Sequence, residues 1–343
     1  MTVLFIHPHL RDQVSGGNVY NEHIIRKALE NNYPLQSLAL DDHRNEAEIT
    51  RQIVCLEPSV VVWDSLFFDL IANLARKIPK VVHVLLVHYL PSLNPGLHSA
   101  SRARRMHSES RAIRNCARII CTGLPTFENL SLRHPESPRF LCRPGVDDIF
   151  RPVDKASVAA PQKKHIDLIS VANLLAEKGL SELLQVLASL ETKQWVWHIA
   201  GSDRSDRAYS ELLWSTATRL GLISQIRYHG ILSPEHLAIL LSQMDVFVSA
   251  SRYEAYGMAV AEAVAAGLPV ISTRTGCATE MVEDGHSGFL VPVGDRNSMT
   301  SALNKLILDP ELRMRFALNC RARPRHSWRN CFELFKQACV FDP

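Results

Sequence analysis

Two carboxylates, Glu254 and Glu262, stand eight residues apart in the sequence. The apolar run Val246–Ala250 before them predicts a buried strand, and the helix formers Ala259–Ala266 predict a helix that begins near Gly257. A helix start offers unpaired N–H groups to anions, whereas ionised carboxylates accept hydrogen bonds from hydroxyls. The pattern would suit a ligand with both phosphate and sugar. On spacing alone, the favoured interpretation is a solvent-facing Glu262 and a simple loop acid at Glu254.

The run after this helix continues the pattern. Gly267 suits a left-handed helix end and Pro269 cannot continue a helix. Gly276 and the segment EMVEDGHSGFLVPVGD at 280–295 follow. With Glu254-x7-Glu262, this block resembles the motif region of retaining nucleotide-sugar glycosyltransferases of the GT-B fold, glycosyltransferase family 4. The resemblance implies an α/β protein with two doubly wound Rossmann-like domains that face each other across a cleft.

Composition agrees with a two-domain cytoplasmic protein. The chain has 343 residues, 46% of them hydrophobic, and a formal net charge of +3, so nucleic acid is not an expected partner. Eight cysteines without a C-x-x-C pair predict free thiols in a reducing compartment. Residues 1–6 predict a first strand rather than a signal peptide. The apolar stretch Val81–Leu90 is far shorter than the roughly 20 residues that span a bilayer.

Three parts of the chain are expected. Residues 1–150 form an N-terminal, acceptor-side Rossmann-like domain, and 151–322 form a C-terminal, donor-binding one. Residues 323–343 carry a helix that crosses back to the N-terminal domain. Arg143–Pro152 resembles the segment where the family's chain leaves the first domain, and the polar run Asp154–Lys164 fits a linker.

Two features of the first domain are candidate ligand contacts. Gly16 and Gly17 follow the strand Val3–Ile6 and allow close backbone approach, although such a pair is also an ordinary turn. They do not form G-x-G-x-x-G, which counts against a nicotinamide or flavin enzyme. His88 ends the strand Val81–Val87, where ligand crevices lie, or is a structural histidine. The resemblance implies that the glycines face the donor diphosphate and that His88 contacts the donor sugar.

The turn Ala172–Gly179 of the second domain has only part of the expected diphosphate-binding pattern. The resemblance implies an arginine in this turn and a lysine five residues later. Lys178 matches the lysine, although it could be an exposed lysine at a helix start, and Asn173 stands in place of the arginine. Arg204 and Arg207 are candidates for the second cation, because a lone lysine lacks bidentate pairing with phosphate.

The resemblance implies a mechanism and a set of site residues. Lys178 and the helix start at Gly257 and Met258 would hold the diphosphate, Glu262 would accept from ribose hydroxyls and Glu254 would orient the sugar. Retention would come from same-face attack, with the departing phosphate as base. The predicted catalytic residues are Glu254, His88 and Lys178, and the predicted donor-binding residues are Gly16, Gly17, Asn173, Lys178, Arg204, Glu254, Tyr256, Gly257, Met258 and Glu262.

Neither a metal nor a cofactor is expected besides the nucleotide-diphosphate sugar that serves as donor. No D-x-D occurs in the chain, which argues against a metal-bound diphosphate. His7 and His9 could reach one metal ion, but no acid or cysteine is near them in sequence. The acceptor is a hydroxyl of a glycan, glycolipid or small molecule. The alternatives are a nucleotide-sugar epimerase or phosphorylase, and a non-catalytic sugar-nucleotide binding subunit, which Asn173 makes conceivable.

The segment Leu97–Arg118 is the most basic part of the chain. Glu109 is its sole acid, and its arginines are Arg102, Arg104, Arg105, Arg111, Arg114 and Arg118. We expect a basic amphipathic helix, Arg102–Arg118, with one apolar side formed by Ala103, Met106, Ile113 and Ala117. A solvated face is the favoured interpretation. The other is peripheral contact with an anionic acceptor or the inner membrane face.

Overall fold

The computed structural model describes residues 2–9, 15–41, 45–152 and 164–341. The chain divides into two compact units, which we call unit 1 (Met1–Gly145 with His326–Pro343) and unit 2 (Val146–Arg325). Most of the linker predicted at Asp154–Lys164 lies outside the described residues.

Unit 1 is built on a six-stranded sheet in the order β2-β1-β3-β4-β5-β6, with every neighbouring pair parallel. The strands are β1 (Val3–Pro8), β2 (Leu35–Leu40), β3 (Val60–Asp64), β4 (Val82–Val87), β5 (Arg118–Cys121) and β6 (Arg139–Leu141). The helices are α1 (Gly16–Glu30), α2 (Glu46–Leu56), α3 (Phe68–Lys77), α4 (Ser99–Arg114), α5 (Leu124–Arg133) and α13 (Trp328–Cys339). Buried apolar strands such as β3 are what helices on both faces of a parallel sheet require.

Unit 2 repeats the plan with the order β12-β11-β10-β7-β8-β9. Its strands are β7 (Ile166–Val171), β8 (Trp195–Ala200), β9 (Ile226–Gly230), β10 (Val246–Ser249), β11 (Val270–Thr273) and β12 (Gly288–Val291). Its helices are α6 (Leu180–Ala188), α7 (Arg207–Arg219), α8 (Pro234–Gln243), α9 (Met258–Ala265), α10 (Ala278–Met281), α11 (Arg296–Leu308) and α12 (Pro310–Ala322). Separate apolar clusters cover the two faces, one around Trp197 and the other around Phe247. The two parallel sheets with interleaved helices confirm the predicted GT-B fold class.

The strand orders fix where ligands can bind. In unit 1 the chain reverses its winding between β1 and β3, and in unit 2 between β7 and β10. At such a switch point the crossover helices leave to opposite faces and open a crevice outside the carboxyl ends of the strands. Candidate site residues in each unit should therefore be sought at these two places.

The last helix, α13, belongs to unit 1, where it packs against α1, β5 and β6. Its aromatic face is buried, with Phe332 and Phe335 inside and Trp328 stacked on His23 at 3.8 Å between ring centroids. Gly145 lies against the first turn of α13, because a Cβ there would be 2.2 Å from the backbone nitrogen of Trp328.

The structure corrects the predicted basic helix. Helix α4 ends at Arg114, and Arg118 instead begins β5, where its guanidinium donates to the carbonyl oxygen of Gln337 at 3.1 Å. Ala103 is exposed and Met106 is 41% exposed, so the predicted apolar side is not buried along its length. The helix is held by its second half. There the buried Glu109 accepts from Arg133 at 3.1 Å and Ala112 and Ile113 enter the core.

Helix α1 begins at Gly16, so the glycine pair that could have been an ordinary turn lies inside a helix. Ser15 caps it by accepting from the backbone N–H of Asn18 at 3.2 Å, so the two glycines form the first helical turn. Propensity alone disfavours glycine in a helix, and the cap overrides it. No helix among the described residues is long and apolar enough to cross a membrane.

Candidate functional site

At the switch point of unit 2, Lys178 and Glu254 form an ion pair. Nζ of Lys178 donates to Oε1 of Glu254 at 2.7 Å, and Oγ of Ser251 donates to the same oxygen at 2.9 Å. Lys178 follows β7 and Glu254 follows β10, so the two strands on either side of the switch bring them together. Their side chains are 23% and 21% exposed, which leaves the pair open to solvent and to exchange of partners.

Glycines fix the loops that present this pair. Gly179 has φ +66°, and a Cβ on it would lie 2.0 Å from the carbonyl oxygen of Ala250. The turn with Lys178 therefore packs directly on the end of β10. On the other side, a Cβ on Gly276 would come within 2.8 Å of Cβ of Glu254. Ser251 is held in turn, because Oγ1 of Thr273 donates to its carbonyl oxygen at 2.6 Å.

Helix α9 begins at Met258, directly after Gly257 in the left-handed conformation at φ +100°. It ends as predicted, with Gly267 in the left-handed conformation at φ +77°. The backbone N–H of Leu268 donates to the carbonyl oxygen of Ala263 at 3.0 Å. The half-buried Met258 supplies the first helical N–H group, and Tyr256 is buried before it. The start of α9 thus directly follows the loop that carries Glu254. Helix starts of this kind can bind anions, and a carboxylate can accept hydrogen bonds from hydroxyls.

Glu262 lies on α9 and is half-buried. Burial raises its pKa from 4.5 to about 8, and the neighbouring charge of Asp147 adds to the shift. Among the residues that the structure describes, no hydrogen bond or ion pair satisfies its carboxyl group. A carboxyl group in this state has free capacity to bind ligand hydroxyls.

The structure gives Asn173 a definite partner. Its carboxamide oxygen accepts from the backbone N–H of Ser202 at 2.9 Å and so ties the loop after β7 to the loop after β8. Oγ of Ser202 then accepts from the backbone N–H of Arg204 at 3.2 Å, and the Arg204 side chain is exposed. Asn173 therefore shapes the edge of the crevice and supplies no charge to it. Arg207, the other predicted cation, is exposed at the start of α7.

At the switch point of unit 1, His88 meets Asn21 and Asp64. Nε2 of His88 lies 2.8 Å from Oδ1 of Asn21 and 3.4 Å from Oδ2 of Asp64. Nδ2 of Asn21 donates to Oδ2 of Asp64 at 2.7 Å. Burial by itself raises the pKa of Asp64, but His88, the Leu66 N–H group and Asn21 together hold it below its usual value.

Gly17 forms the wall beside this histidine. A Cβ on Gly17 would lie 3.3 Å from Cδ2 of His88, so the bare helix start lets the ring approach. Gly16 is exposed one residue earlier, at the first position of α1. The edge of Tyr20 packs against the His88 ring at 5.0 Å between centroids.

The predicted site residues are divided between the two units. In unit 2 a direct contact joins Lys178 to Glu254, and Asn173 ties its own loop to the loop that carries Arg204. Tyr256, Gly257, Met258 and Glu262 follow Glu254 in the loop and in α9, and Gly16, Gly17 and His88 lie in unit 1. Sequence reasoning missed Ser251, Asn21 and Asp64. Asp64 carried a usable signal, because a carboxylate that ends a buried apolar strand stands at a crevice edge. Asn21 carried no such signal, because nothing in the sequence around it indicates contact with Asp64, which is 43 positions away.

Comparison with known proteins agrees with this architecture. The family model described as glycosyl transferases group 1 matches residues 152–323. D-inositol 3-phosphate glycosyltransferase of Streptomyces avermitilis is 30% identical over 245 residues, which are 67% of this chain and 52% of that protein. Lipopolysaccharide core biosynthesis glycosyltransferase LpsE of Rhizobium meliloti is 28% identical over 165 residues, 48% of this chain and 46% of that protein. The chain thus spans about half the length of these curated relatives.

Solved structures share the fold at low sequence identity. Sucrose-phosphate synthase from Thermosynechococcus elongatus superposes with a TM-score of 0.84 at 18% identity, covering 98% of this chain and 97% of that one. Anabaena HepE in complex with UDP-glucose gives 0.78 at 17% identity and covers 99% of each chain. The family model extends over half of the sequence and includes the Lys178, Glu254 and Glu262 positions. The chain belongs to the glycosyl transferases group 1 family.

Proposed function

We propose that this protein is a retaining glycosyltransferase of family 4 that moves a sugar from a nucleotide-diphosphate sugar to a hydroxyl acceptor. The observation that carries the proposal is the contact between Lys178 and Glu254 at the switch point of unit 2. It places an ammonium group for phosphate and a carboxylate for sugar hydroxyls side by side. The start of α9 adds N–H groups beside them.

Donor binding would exchange the partners of this ion pair. In the free protein each charge neutralises the other, and both side chains are partly open to solvent. A diphosphate would pair with the Lys178 ammonium group. The sugar hydroxyls would then donate hydrogen bonds to the oxygen of Glu254 that Lys178 releases. Since Ser251 donates to that same oxygen, it would keep the carboxylate oriented during the exchange. Ribose hydroxyls would complete the set by bonding to Glu262.

The chemistry would be electrostatic. As the bond between sugar and phosphate breaks, negative charge grows on the departing diphosphate, and Lys178 with the N–H groups of α9 would stabilise it there. The acceptor hydroxyl would attack from the same face and pass its proton to the departing phosphate, which gives retention. The described residues contain no group of three or more His, Cys, Asp or Glu side chains arranged to hold a metal ion. We propose that the diphosphate is neutralised by the protein's own groups.

A non-catalytic sugar-nucleotide binding subunit is the second candidate, and Asn173 favours it. Its carboxamide is engaged by Ser202 and brings no cation to the diphosphate. In that case the same crevice would bind the donor, and the single lysine would be too little to stabilise the leaving group.

The deciding experiment has two steps. Thermal unfolding in a panel of nucleoside diphosphates and nucleotide sugars identifies the donor, since a ligand that binds the folded state raises Tm. Release of nucleoside diphosphate and the anomeric configuration of the product are then measured with that donor and candidate acceptors. Transfer with retained configuration is expected. Binding without any release would favour the non-catalytic subunit, and turnover without an acceptor would favour an epimerase.

We further propose a cytoplasmic location with peripheral contact to an anionic acceptor or membrane surface through the first half of α4. Arg102, Arg104 and Arg105 are exposed there, and Met106 is exposed among them. Replacing the three arginines by glutamine should abolish cosedimentation with anionic vesicles and leave donor binding intact. Equal binding of wild type and variant to such vesicles would exclude the contact.

A further inference from the structure

Three side chains of unit 1, those of Asp64, Asn21 and His88, form a hydrogen-bonded chain, and each comes from a different element. Asp64 ends β3 and is 1% exposed, Asn21 lies on α1 and is fully buried, and His88 follows β4. The contacts are 2.7 Å from Asp64 to Asn21 and 2.8 Å from Asn21 to His88. The backbone N–H of His88 also donates to Oγ of Ser65 at 3.2 Å. The ring is therefore held through Nε2, and the backbone of the same residue is held through Ser65.

The polarity of this chain follows from its first member. Oδ1 of Asp64 accepts from the backbone N–H of Leu66 at 2.8 Å, and its Oδ2 faces Asn21. An ionised carboxylate only accepts hydrogen bonds, so Asn21 must turn its NH₂ group toward Asp64. Its carboxamide oxygen then faces Nε2 of His88, which must donate. In a neutral ring the proton is thus on Nε2.

The other ring nitrogen is consequently a lone-pair acceptor. Among the residues that the structure describes, nothing hydrogen-bonds to Nδ1 of His88. The side chain keeps 12% of its surface exposed, beside Gly17 at the start of α1. A lone pair accepts a hydrogen bond from a hydroxyl and repels a phosphate oxygen.

We propose that Asp64 and Asn21 are positioning residues that fix the tautomer of His88, so that its Nδ1 accepts a hydrogen bond from a substrate hydroxyl. This inference rests on the proposed function in one respect, namely that the substrate is a sugar. It assigns His88 to a hydroxyl and leaves phosphate recognition to unit 2. It also gives the buried charge of Asp64 a role that no apolar residue could fill.

The variant Asp64→Asn tests this hydrogen-bond relay. It should exchange donor and acceptor in the bond between position 64 and Asn21 and in the bond between Asn21 and His88. The Leu66 N–H still requires an acceptor, so the new amide would turn its oxygen to Leu66 and its NH₂ group toward Asn21. Asn21 would then rotate to present its own oxygen to position 64, and its NH₂ group would face Nε2 of His88. Nε2 would become the acceptor and the proton would move to Nδ1.

Nitrogen-15 NMR of the full chain with labelled histidines reads the tautomer directly, and His88→Gln assigns the signal by its loss. At alkaline pH, where imidazole rings are neutral, wild type should show a protonated Nε2 and a bare Nδ1. Asp64→Asn should show the reverse and lose at least tenfold in kcat/KM for transfer. The exposed Asp69 of α3 provides the matched control, and Asp69→Asn should change neither reading.

Several results would overturn the proposal. A wild-type ring protonated on Nδ1 contradicts it at once, and so does lost activity in Asp64→Asn with an unchanged tautomer. If Asp64→Asn fails to fold, Asn21→Leu takes its place and should give a mixture of tautomers, whereas a single unchanged tautomer would contradict the relay. If wild type transfers no sugar from any donor, the proposed function fails, but the NMR result still decides the role of Asp64 and Asn21.

Discussion

The candidate sites of the two units differ in how their charged side chains are exposed and paired. In unit 2 the charges of Lys178 and Glu254 are partly exposed and neutralise each other. In unit 1 the carboxylate of Asp64 is 1% exposed and accepts hydrogen bonds from Asn21 and from the Leu66 N–H group, with His88 3.4 Å away. We expect the exposed pair to exchange its partners for a charged ligand more readily than Asp64 does, because removing one partner of a buried charge leaves that charge uncompensated.

The buried Asp64 and the half-buried Glu262 make a second contrast, in the pKa of their carboxyl groups. The pKa of Asp64 is held below its usual value by His88, Leu66 N–H and Asn21, against the effect of burial. The pKa of Glu262 is raised to about 8, because burial is not offset by donors. Burial alone therefore does not decide whether an acid is charged. Its hydrogen-bond partners do.

The largest effect should come from the unit 2 carboxylate. We expect Glu254→Gln to lower kcat/KM for sugar transfer by about two to three orders of magnitude, as removal of one preorganised electrostatic group does elsewhere. The measurement is release of nucleoside diphosphate. The exposed Glu211 of α7 provides the control, and Glu211→Gln should behave as wild type. Unchanged turnover in Glu254→Gln would remove unit 2's pair from the mechanism.

Replacing Lys178, the ion-pair partner of Glu254, should lower activity somewhat less. Lys178→Met should reduce kcat/KM by about one to two orders of magnitude, since hydrogen bonds to charged groups are worth about 1.5–3 kcal/mol. The exposed Lys80→Met is its control. Because Lys178 and Glu254 are in contact, the double variant should lose less than the two single losses added together. Strict additivity would show that the 2.7 Å contact is not coupled in function.

A matched pair of glycines tests how tightly the lysine turn is held. Gly179 and Gly221 have similar positive φ values of +66° and +71°, but a Cβ meets the Ala250 carbonyl in the first case and nothing within 4 Å in the second. Gly221→Ala should cost about 1–2 kcal/mol of unfolding free energy through backbone strain alone. Gly179→Ala should cost about 1–3 kcal/mol more through the clash. Equal losses in urea unfolding would show that the turn is free to move.

The prediction for Glu262 concerns stability and depends on pH. A carboxyl group with a pKa of about 8 when folded and 4.5 otherwise binds a proton in the folded state that the unfolded chain has lost. Relative to Glu262→Gln, wild type should therefore lose stability between pH 4.5 and about 8, by at most about 1.4 kcal/mol per pH unit. Above pH 8 the difference should stay constant. Urea unfolding across this range measures it, and a difference that shrinks as pH rises would contradict the raised pKa.

The sequence by itself determined much of unit 2. The residues between Gly257 and Gly267 mostly favour a helix, and Pro269 ends the pattern, so α9 and β11 were predictable from local preference. Glu254 and Glu262 were predicted as candidates from their spacing around the helix start and from the family resemblance. Local preference also placed His88 at the end of its strand.

Only the tertiary structure decided which side chains meet. The carboxylate of Glu254 is 76 positions from Lys178, and Asp64 is 43 positions from Asn21, distances in sequence that periodicity does not bridge. Helix α4 shows the same limit, because its pattern continued through Arg118 while pairing with β4 drew that residue into β5. Strand order around the two switch points supplied the contacts, since it brings the ends of separated strands to one edge.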